Sequence, residues 1–221
     1  MATAKIRAAT EASTSALCPE LPLQSSLAVG QPYTISLVEA SNLSPGLQTA
    51  IYGLFDTNMS ALAKTSSFSY QEPAKRQELF EETTKFLLCL AGTTPSTVKG
   101  KEKETLLGYC SFRFDTEETL TSRDAEVIYC YELQLSAKIR GMGIGKILME
   151  LYESIGRRRK MDKGMLTCLK NNKVAMKFYK KLGYRPDQID PSTMAEDEGE
   201  AEEHNDDDER VDYWILSKDL K

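Results

Sequence analysis

The stretch Glu126–Ile155, EVIYCYELQLSAKIRGMGIGKILMELYESI, decides the fold of this chain. Its first part is rich in β-branched and aromatic residues, which is typical of a strand. From Ile144 the apolar positions 144, 147, 148, 151 and 155 follow the 3.6-residue period of an amphipathic helix. Gly141, Gly143 and Gly145 separate the two elements. The stretch therefore predicts a strand joined to a packed helix through a turn of unusually bare backbone.

The glycine turn fits neither of two common phosphate-binding motifs. A P-loop requires a glycine where this chain has Arg140, and a Ser or Thr where it has Ile147. A Rossmann turn requires GxGxxG, whereas the spacing here is GxGxG. The pattern that remains is Arg-x-x-Gly-x-Gly, formed by Arg140, Gly143 and Gly145 between a strand and a helix.

Such a turn can bind a pyrophosphate. Its backbone N–H groups and the free N–H groups of the first helical turn converge where the positive end of the helix also favours an anion. Lys138, Arg140 and Lys146 can add positive charge. The alternative is a tight connection in which the glycines only satisfy the turn dihedrals.

The rest of the chain predicts an α/β fold in a single domain, with a mixed sheet. Strands are predicted at 33–38, 85–92, 106–114, 126–135, 164–170 and 211–217. Helices are predicted after the N-cap Ser44, as a second short piece at 59–64, from Pro73, from Ile144, and at 172–183. Residues 1–30 read as a flexible Ala/Ser/Thr-rich tail, and residues 192–210 as an acidic, disordered insertion before the last strand.

Composition restricts the classes of function. The chain of 221 residues has no apolar run long enough to span a bilayer and no secretory signal. Its five cysteines are scattered without a CxxC pair, which favours free thiols in a reducing compartment. The one histidine, His204, lies in the acidic run, so neither a metal site nor a histidine-based catalytic triad is expected.

Charge is unevenly distributed along the chain. Residues 196–209 contain ten acids and no Lys or Arg, so that with a net charge of −5 the remainder carries about +5. A run of this kind is usually a solvated loop, but it could also attract a basic peptide.

The glycine turn resembles that of the GNAT superfamily of acyl-CoA-dependent N-acetyltransferases, and the resemblance narrows to its NatD-type members. It is carried by FRFD at 112–115, YCYELQL at 129–135, the glycine turn, MLT at 165–167 and YWILS at 213–217. It covers roughly residues 31–190 and 211–218. It implies a GNAT domain over 31–221, in which helices flank a mixed, mostly antiparallel central sheet.

This resemblance implies a function. The chain would transfer acetyl from acetyl-CoA to the free α-amino group of the N-terminal serine of histone 4 and histone 2A. Histone tails would be its peptide partners, without direct contact to nucleic acid or membrane. A monomer in the nucleus and cytoplasm is expected.

The strand before the turn offers a catalytic base. Strict alternation would put Ile128, Cys130, Glu132 and Gln134 on one face, which changes from apolar to polar midway and leaves Glu132 at a cleft wall. An α-amine has a pKa near 7.7 to 8.0, so a carboxylate acting directly or through water can remove its proton. The alternative is that Glu132 is an exposed carboxylate at a strand end.

The resemblance assigns further residues. Glu132 would be the base with Tyr131 beside it, and the peptide would contact Phe68, Asp115, Tyr131, Thr167 and Tyr213. The cofactor-binding residues would be Leu133, Gln134, Leu135, Arg140, Gly141, Met142, Gly143, Ile144, Gly145, Lys146 and Asn172.

Four of the implied assignments carry a qualification. Asn172 could equally be an ordinary helix N-cap. Tyr179 is either an acid for the departing thiolate or part of a packed apolar stripe. Phe68 and Tyr70 match an aromatic pair that walls the peptide groove. Ala63 stands where the family typically has a substrate-contacting tyrosine.

Two other functions remain open from sequence. One is a GNAT acetyltransferase acting on another amine, either a lysine side chain or a polyamine. A lysine ammonium has a pKa near 10.4, so it would demand more deprotonation than an α-amine does. The other is an inactive binder of histone tails.

Overall fold

The computed structural model describes residues 2–92, 105–192 and 211–221. Within them, eight strands form one sheet in the order β1-β2-β3-β4-β5-β6-β8-β7. All neighbouring pairs are antiparallel except β5 and β6, which confirms the predicted mixed sheet. The strands are β1 Leu23–Ser26, β2 Pro32–Glu39, β3 Lys85–Ala91, β4 Leu106–Glu117, β5 Ala125–Leu135, β6 Lys163–Leu169, β7 Arg185–Pro186 and β8 Tyr213–Asp219.

Helices cover both faces of the sheet. They are α1 Ala4–Thr10, α2 Thr14–Leu17, α3 Pro45–Ala63, α4 Glu72–Leu79, α5 Ile144–Arg158 and α6 Lys173–Lys181, with 3₁₀ turns at Ala40–Asn42 and Ala137–Ile139. On one face, called here the α5 face, α1, α2, α5 and α6 pack on a core that includes Phe112 and Ile128. On the other, the α3 face, Ile51 of α3 packs with Phe86 and Tyr109. No helix in these described ranges is both long and apolar enough to cross a membrane.

Helix α3 shows how local sequence sets the boundaries. The Ser44 hydroxyl accepts a hydrogen bond from the Leu47 N–H at 3.3 Å, and Pro45 occupies the first helical position, as predicted. The predicted short second piece at 59–64 is wrong, because α3 continues unbroken to Ala63. Residues 55–63 contain no Gly or Pro that would interrupt the helix.

The N-terminal segment differs from the expected loose tail. Ile6, Ala9 and Leu17 are buried in the core on the α5 face, and β1 pairs with β2. Lys5 forms an ion pair with Glu126 of β5. Helices of 7 and 4 residues are too short to show a periodic pattern, and tertiary packing stabilises them instead.

The expected acidic insertion lies mostly outside the described residues. The strand that follows the insertion in the chain is β8. It begins at Tyr213 and pairs antiparallel with β6, from Leu169 to Lys163. The final strand is therefore inserted between β6 and β7, next to the parallel pair.

Two glycines in helices predict opposite effects of the same substitution. A Cβ at Gly156 of α5 would lie 2.5 Å from Leu220 Cδ1 and 2.7 Å from Ile128 Cγ2, whereas a Cβ at Gly53 of α3 meets nothing within 4 Å. Gly156→Ala should lower the free energy of unfolding by about 1–3 kcal/mol through overpacking. Gly53→Ala should raise it by about 0.5–1 kcal/mol through helix propensity. Denaturant unfolding of both variants checks this, and a stabilised Gly156→Ala protein would contradict the packing described here.

Candidate active site

Strands β5 and β6 separate at the centre of the sheet. Their parallel ladder pairs residues 127–130 with 163–166. Among the described residues the pairing ends there, although β5 continues to Leu135 and β6 to Leu169. The Ser136 N–H donates to the Leu107 carbonyl on β4 at 2.8 Å. Because alternate residues of a strand direct their backbone groups to opposite sides, those of Leu133 and Leu135 point towards β6, into the opening. The result is a cleft with backbone donors and acceptors along one wall.

A β-bulge in β5 sits where the cleft begins. Ser111 of β4 pairs with Glu132, but the next residue, Phe112, pairs with Cys130, so Tyr131 is an extra residue. The bulge changes which residues share a face. Ile128 and Cys130 belong to the core on the α5 face, whereas Glu132 bonds to Lys75 of α4 on the α3 face. The predicted shared face of Ile128, Cys130, Glu132 and Gln134 is therefore wrong, because strict alternation ignores the extra residue.

Glu132 is buried and fully engaged. Its Oε1 lies 2.8 Å from Lys75 Nζ, its Oε2 accepts a hydrogen bond from Gln134 Nε2 at 2.8 Å, and only 9% of its surface is exposed. Burial raises the pKa of Glu132, while Lys75 and Gln134 act in the opposite direction. The alternative of an exposed carboxylate is thus wrong. Glu132 is a desolvated carboxylate with a raised proton affinity, as suits a base.

Lys75 is also shielded, and sequence reasoning did not identify it. Its ammonium lies 4.6 Å from the centroid of the Phe55 ring and 2.8 Å from Glu78 Oε1. Burial lowers the pKa of Lys75, but the Glu132 and Glu78 carboxylates together outweigh that effect and raise it. Lys75 lies in the first turn of α4, two residues after Pro73, and one turn before the buried Leu79, so its place on an inward-facing helical position was the available signal.

A row of side chains on the α3 face continues from Glu132 across the cleft. Tyr131 lies 5.3 Å from Tyr129 between ring centroids, and the Tyr129 hydroxyl lies 2.6 Å from Thr167 Oγ1. The Arg113 guanidinium stacks on Tyr131 at 4.1 Å. Burial raises the pKa of Tyr129 to about 12, although its bond to Thr167 lowers it, so the phenol keeps its proton at neutral pH. Tyr129, not among the predicted site residues, thus bridges two that were, Tyr131 and Thr167.

The segment between α3 and α4 reaches the far end of this row. Phe68 packs edge to face on Tyr213 at 5.1 Å, and the Asp212 carboxylate accepts bonds from the Ser67 N–H at 2.5 Å and the Ser67 hydroxyl at 2.7 Å. Tyr70 departs from Phe68: it packs on Phe55 at 4.9 Å. The predicted aromatic pair is therefore split between two places.

Ala63 and Asp115 lie at the margins of the site. Ala63 is buried and lines a cavity of about 290 Å³ together with Asp56 and Tyr70, where the Tyr70 hydroxyl donates to Asp56 at 2.9 Å. Asp115 is exposed on β4 and accepts a bond from the Thr116 N–H at 2.8 Å. Burial raises the pKa of Tyr131, and the charge of Asp115 raises it further, whereas the Arg113 guanidinium lowers it.

The glycine turn has the predicted form. Gly141 and Gly143 have φ of +77° and +86°, and a Cβ at either would meet nothing within 4 Å, so the space beside the turn is open. Gly143 is the N-cap of α5, and the first helical bond runs from the Ile147 N–H to the Gly143 carbonyl. The N–H groups of Ile144, Gly145 and Lys146 therefore have no partner within the helix. These residues fit a pyrophosphate.

Gly145 differs from the other two glycines of the turn. A Cβ there would lie 3.2 Å from Leu135 Cδ1 and 3.3 Å from Phe178 Cζ, so its small size lets α5 pack against β5 and α6. Met142, also predicted to bind the cofactor, is 37% exposed on the same turn. Lys146 lies 3.6 Å from Glu150, in a pair that is exposed on both sides.

Arg140 is held in place from the side opposite the helix. Its Nη2 lies 2.5 Å from Asn58 Oδ1, and its Nε donates to the Leu135 carbonyl at 3.3 Å. Asn58 lies on α3 and was not predicted. It occupies the inward stripe of α3 with Ile51 and Phe55, at spacings of seven and three residues, and a polar residue in such a stripe is the signal that could have found it.

The remaining predicted residues have mixed outcomes. Asn172 is the N-cap of α6, with its Oδ1 accepting from the Ala175 N–H at 3.1 Å, which confirms the capping interpretation. The side chain of Gln134 bonds to Glu132 through its Nε2 and to Asn58 through its Oε1. Tyr179 is buried against Phe178 and Tyr184, and burial raises its pKa well above the usual range. A role of Tyr179 as an acid stays a prediction.

Comparison with known proteins gives one family. Residues 58–184 match the model of the acetyltransferase (GNAT) family. An acetyltransferase from Streptococcus agalactiae has a similar fold, with a TM-score of 0.55, 16% identity, and coverage of 84% of this chain and 98% of that one. The NatC complex bound to Gag peptide and CoA has a TM-score of 0.53 and 17% identity, with coverage of 85% of this chain and 99% of that one. GCN5 from Tetrahymena has a TM-score of 0.52 and 12% identity, with coverage of 85% of this chain and 96% of that one.

A substitution at Gly143 tests the turn. An alanine at φ +86° costs about 1–2 kcal/mol, so the turn should relax and its N–H groups should no longer converge. We expect Gly143→Ala to weaken binding of CoA about tenfold or more by calorimetry. Gly53→Ala, the same change away from the turn, should leave the affinity unaltered. An unchanged Kd for a folded Gly143→Ala protein would remove this turn from CoA binding.

Proposed function

This chain belongs to the GNAT acetyltransferase family, and from that premise we propose that it transfers acetyl from acetyl-CoA to the free α-amino group of a peptide. The observation that carries the proposal is Glu132. A buried carboxylate with a raised proton affinity lies beside the tyrosines and Thr167 at the mouth of the cleft. A base of moderate strength matches an α-amine, which is already partly neutral at pH 7.

Each part of the reaction has residues suited to it. Glu132, directly or through water, takes the proton from the amine. The nitrogen then forms a bond to the acetyl carbonyl carbon, the carbon–sulfur bond breaks, and CoA leaves as a thiolate that takes up a proton. Backbone N–H groups of Leu133 and Leu135 can hold and polarise the acyl donor, because they face the opening between β5 and β6.

The turn and the start of α5 would hold the phosphates. Gly141 and Gly143 leave open space for a close approach of the pyrophosphate, and the first N–H groups of α5 point to the same place. Acetyl-CoA supplies the activated acyl group. A CoA-bound neighbour of this fold, the NatC complex, accommodates a peptide together with CoA.

The proposed peptide substrate is the N-terminal serine of histone 4 and histone 2A. Tyr131, Thr167, Tyr213 and Phe68 would line the path of its first residues, which favours a narrow space and a small side chain. Asp115 and Glu117 add negative charge at the end of β4, and Asp115 is exposed. Such charge favours the Lys and Arg residues that follow in a histone tail.

A peptide panel tests the substrate. Purified protein with acetyl-CoA is offered histone 4-type peptides with a free Ser N-terminus, the same peptides with a blocked N-terminus, and a peptide with Ser replaced by Leu. We expect a gain of one acetyl mass on the free Ser peptide alone. Transfer to a lysine of the blocked peptide would favour the other enzyme function, and binding without transfer to any peptide would favour the inactive binder.

The role of the base has its own test. Glu132→Gln should leave the Kd for CoA within about twofold while lowering kcat by roughly 10²–10⁴, since the amide keeps the shape of the side chain but cannot take a proton from the amine. The loss should be largest at low pH, where the fewest amines are neutral. Glu11→Gln, at an exposed position after α1, is the matched control. An unchanged rate for Glu132→Gln would remove Glu132 from the mechanism.

A further inference from the structure

A continuous chain of hydrogen bonds joins the glycine turn to Glu132. Arg140 Nη2 donates to Asn58 Oδ1 at 2.5 Å, Asn58 Nδ2 donates to Gln134 Oε1 at 2.9 Å, and Gln134 Nε2 donates to Glu132 Oε2 at 2.8 Å. Asn58 Nδ2 also reaches the Leu135 carbonyl at 3.1 Å. These four side chains, called here the amide relay, connect α3, β5 and the turn before α5.

The relay has one direction. Arg140 can only donate and the Glu132 carboxylate can only accept, so each amide between them must present its oxygen towards Arg140 and its nitrogen towards Glu132. Every dipole therefore stabilises the charged form of Glu132. Gln134 is 5% exposed and Glu132 is 9% exposed, so the step between them is shielded from water, where hydrogen bonds to charged groups are strongest.

Other groups also act on Glu132, but none of them joins it to the turn. From α4 come Lys75, which is bonded to it, and Glu78, whose charge raises its pKa. The hydroxyls of Tyr70, before α4, and Tyr109, on β4, lie within range of its charge. On the α5 face, the charge of Glu132 also raises the pKa of the Cys130 thiol and of the Tyr179 phenol.

We propose that Asn58 and Gln134 are positioning residues that hold Glu132 as an oriented carboxylate and transmit the state of Arg140 to it. When a phosphate of CoA engages Arg140, the guanidinium is drawn from Asn58, the relay loses its cationic end, and the carboxylate becomes more basic. Binding of the acyl donor thus strengthens the base at the other end of the cleft. This inference rests on the proposed function in treating Glu132 as the base and the turn as the CoA site.

The test is a mutant cycle read at Glu132 itself. The carboxyl ¹³C signal of Glu132, identified by its loss in Glu132→Gln, is titrated in the parent, Arg140→Met, Asn58→Leu and the double variant, all without ligand. Because hydrogen bonds to a carboxylate lower its pKa, each single substitution should raise the Glu132 pKa by about 0.5–1 unit. The rise in the Glu132 pKa should be no larger in the double variant than in Asn58→Leu alone, because both substitutions interrupt the same chain of hydrogen bonds.

Two controls separate the relay from general damage. Thr57→Val replaces the exposed neighbour of Asn58, whose hydroxyl bonds only to the Gly53 carbonyl of its own helix in the described contacts, and should leave the pKa unchanged. Arg140 is exposed, so Arg140→Met tests the relay even when Asn58→Leu does not fold. An unchanged Glu132 pKa in Arg140→Met, or additive shifts in the double variant, would overturn the proposal.

A second titration adds CoA and no peptide. Saturating CoA should raise the Glu132 pKa in the parent, and the shift should shrink by at least half in Asn58→Leu and in Gln134→Met. Equal shifts in parent and variants would also overturn the proposal. Neither titration uses a peptide, so a failure of histone peptides as substrates and a failure of the relay give different results.

Discussion

The extra residue Tyr131 in β5 is the constraint on which the rest of the site depends. Because Cys130 pairs with Phe112 and Glu132 with Ser111, the strand must accommodate one residue without a partner on β4. It does so at the point where β5 leaves β6. A bulge bends and twists its strand, which gives a physical reason for the two central strands to part there. The cleft is thus a consequence of strand register, and no separate element is needed to form it.

The same bulge places a charge on the α3 face, and that charge determines much of the surrounding packing. A buried carboxylate without partners would be strongly unfavourable, and removing one partner from a buried pair costs about 3–5 kcal/mol. Lys75 on α4 and Gln134 on β5 meet this requirement. Lys75 in turn packs on Phe55 of α3, and Asn58 of the same helix bonds to Gln134. Both α4 and α3 therefore contribute polar side chains to the network around this carboxylate.

The two halves of the site differ in how they are built. The glycine turn lies within one continuous stretch, from the end of β5 to the first turn of α5, and its shape follows from glycine dihedrals and a helix N-terminus. The proposed peptide side combines residues that are distant in the chain. Phe68 meets Tyr213, and Tyr129 meets Thr167, across separations that only the sheet can close. This division suits a family that keeps one acyl donor while its members differ in the amine they accept.

The sequence by itself determined what depends on local order. It predicted the mixed sheet, the start of α3 at Ser44 and Pro45, the amphipathic α5, the cap at Asn172 and the glycine turn before α5, because dihedral preferences and periodicity act over a few residues. Resemblance added Glu132, Tyr131 and Thr167. The order of the N-terminal segment was missed, since its short helices are stabilised by packing on α5-face residues far along the chain.

Only the tertiary structure decided the face on which Glu132 lies and the partners that it has there. A bulge depends on the register between two strands, which alternation within one strand does not encode. Lys75 and Asn58 find their partners only when α4 and α3 pack over β5, where Lys75 meets Glu132 and Asn58 meets Gln134. An inward-facing position in a helix can draw attention to a polar residue, but it does not identify the residue's partner. The sequence therefore reveals the glycine turn, whereas the connection of that turn to the Glu132 carboxylate exists only once the chain has folded.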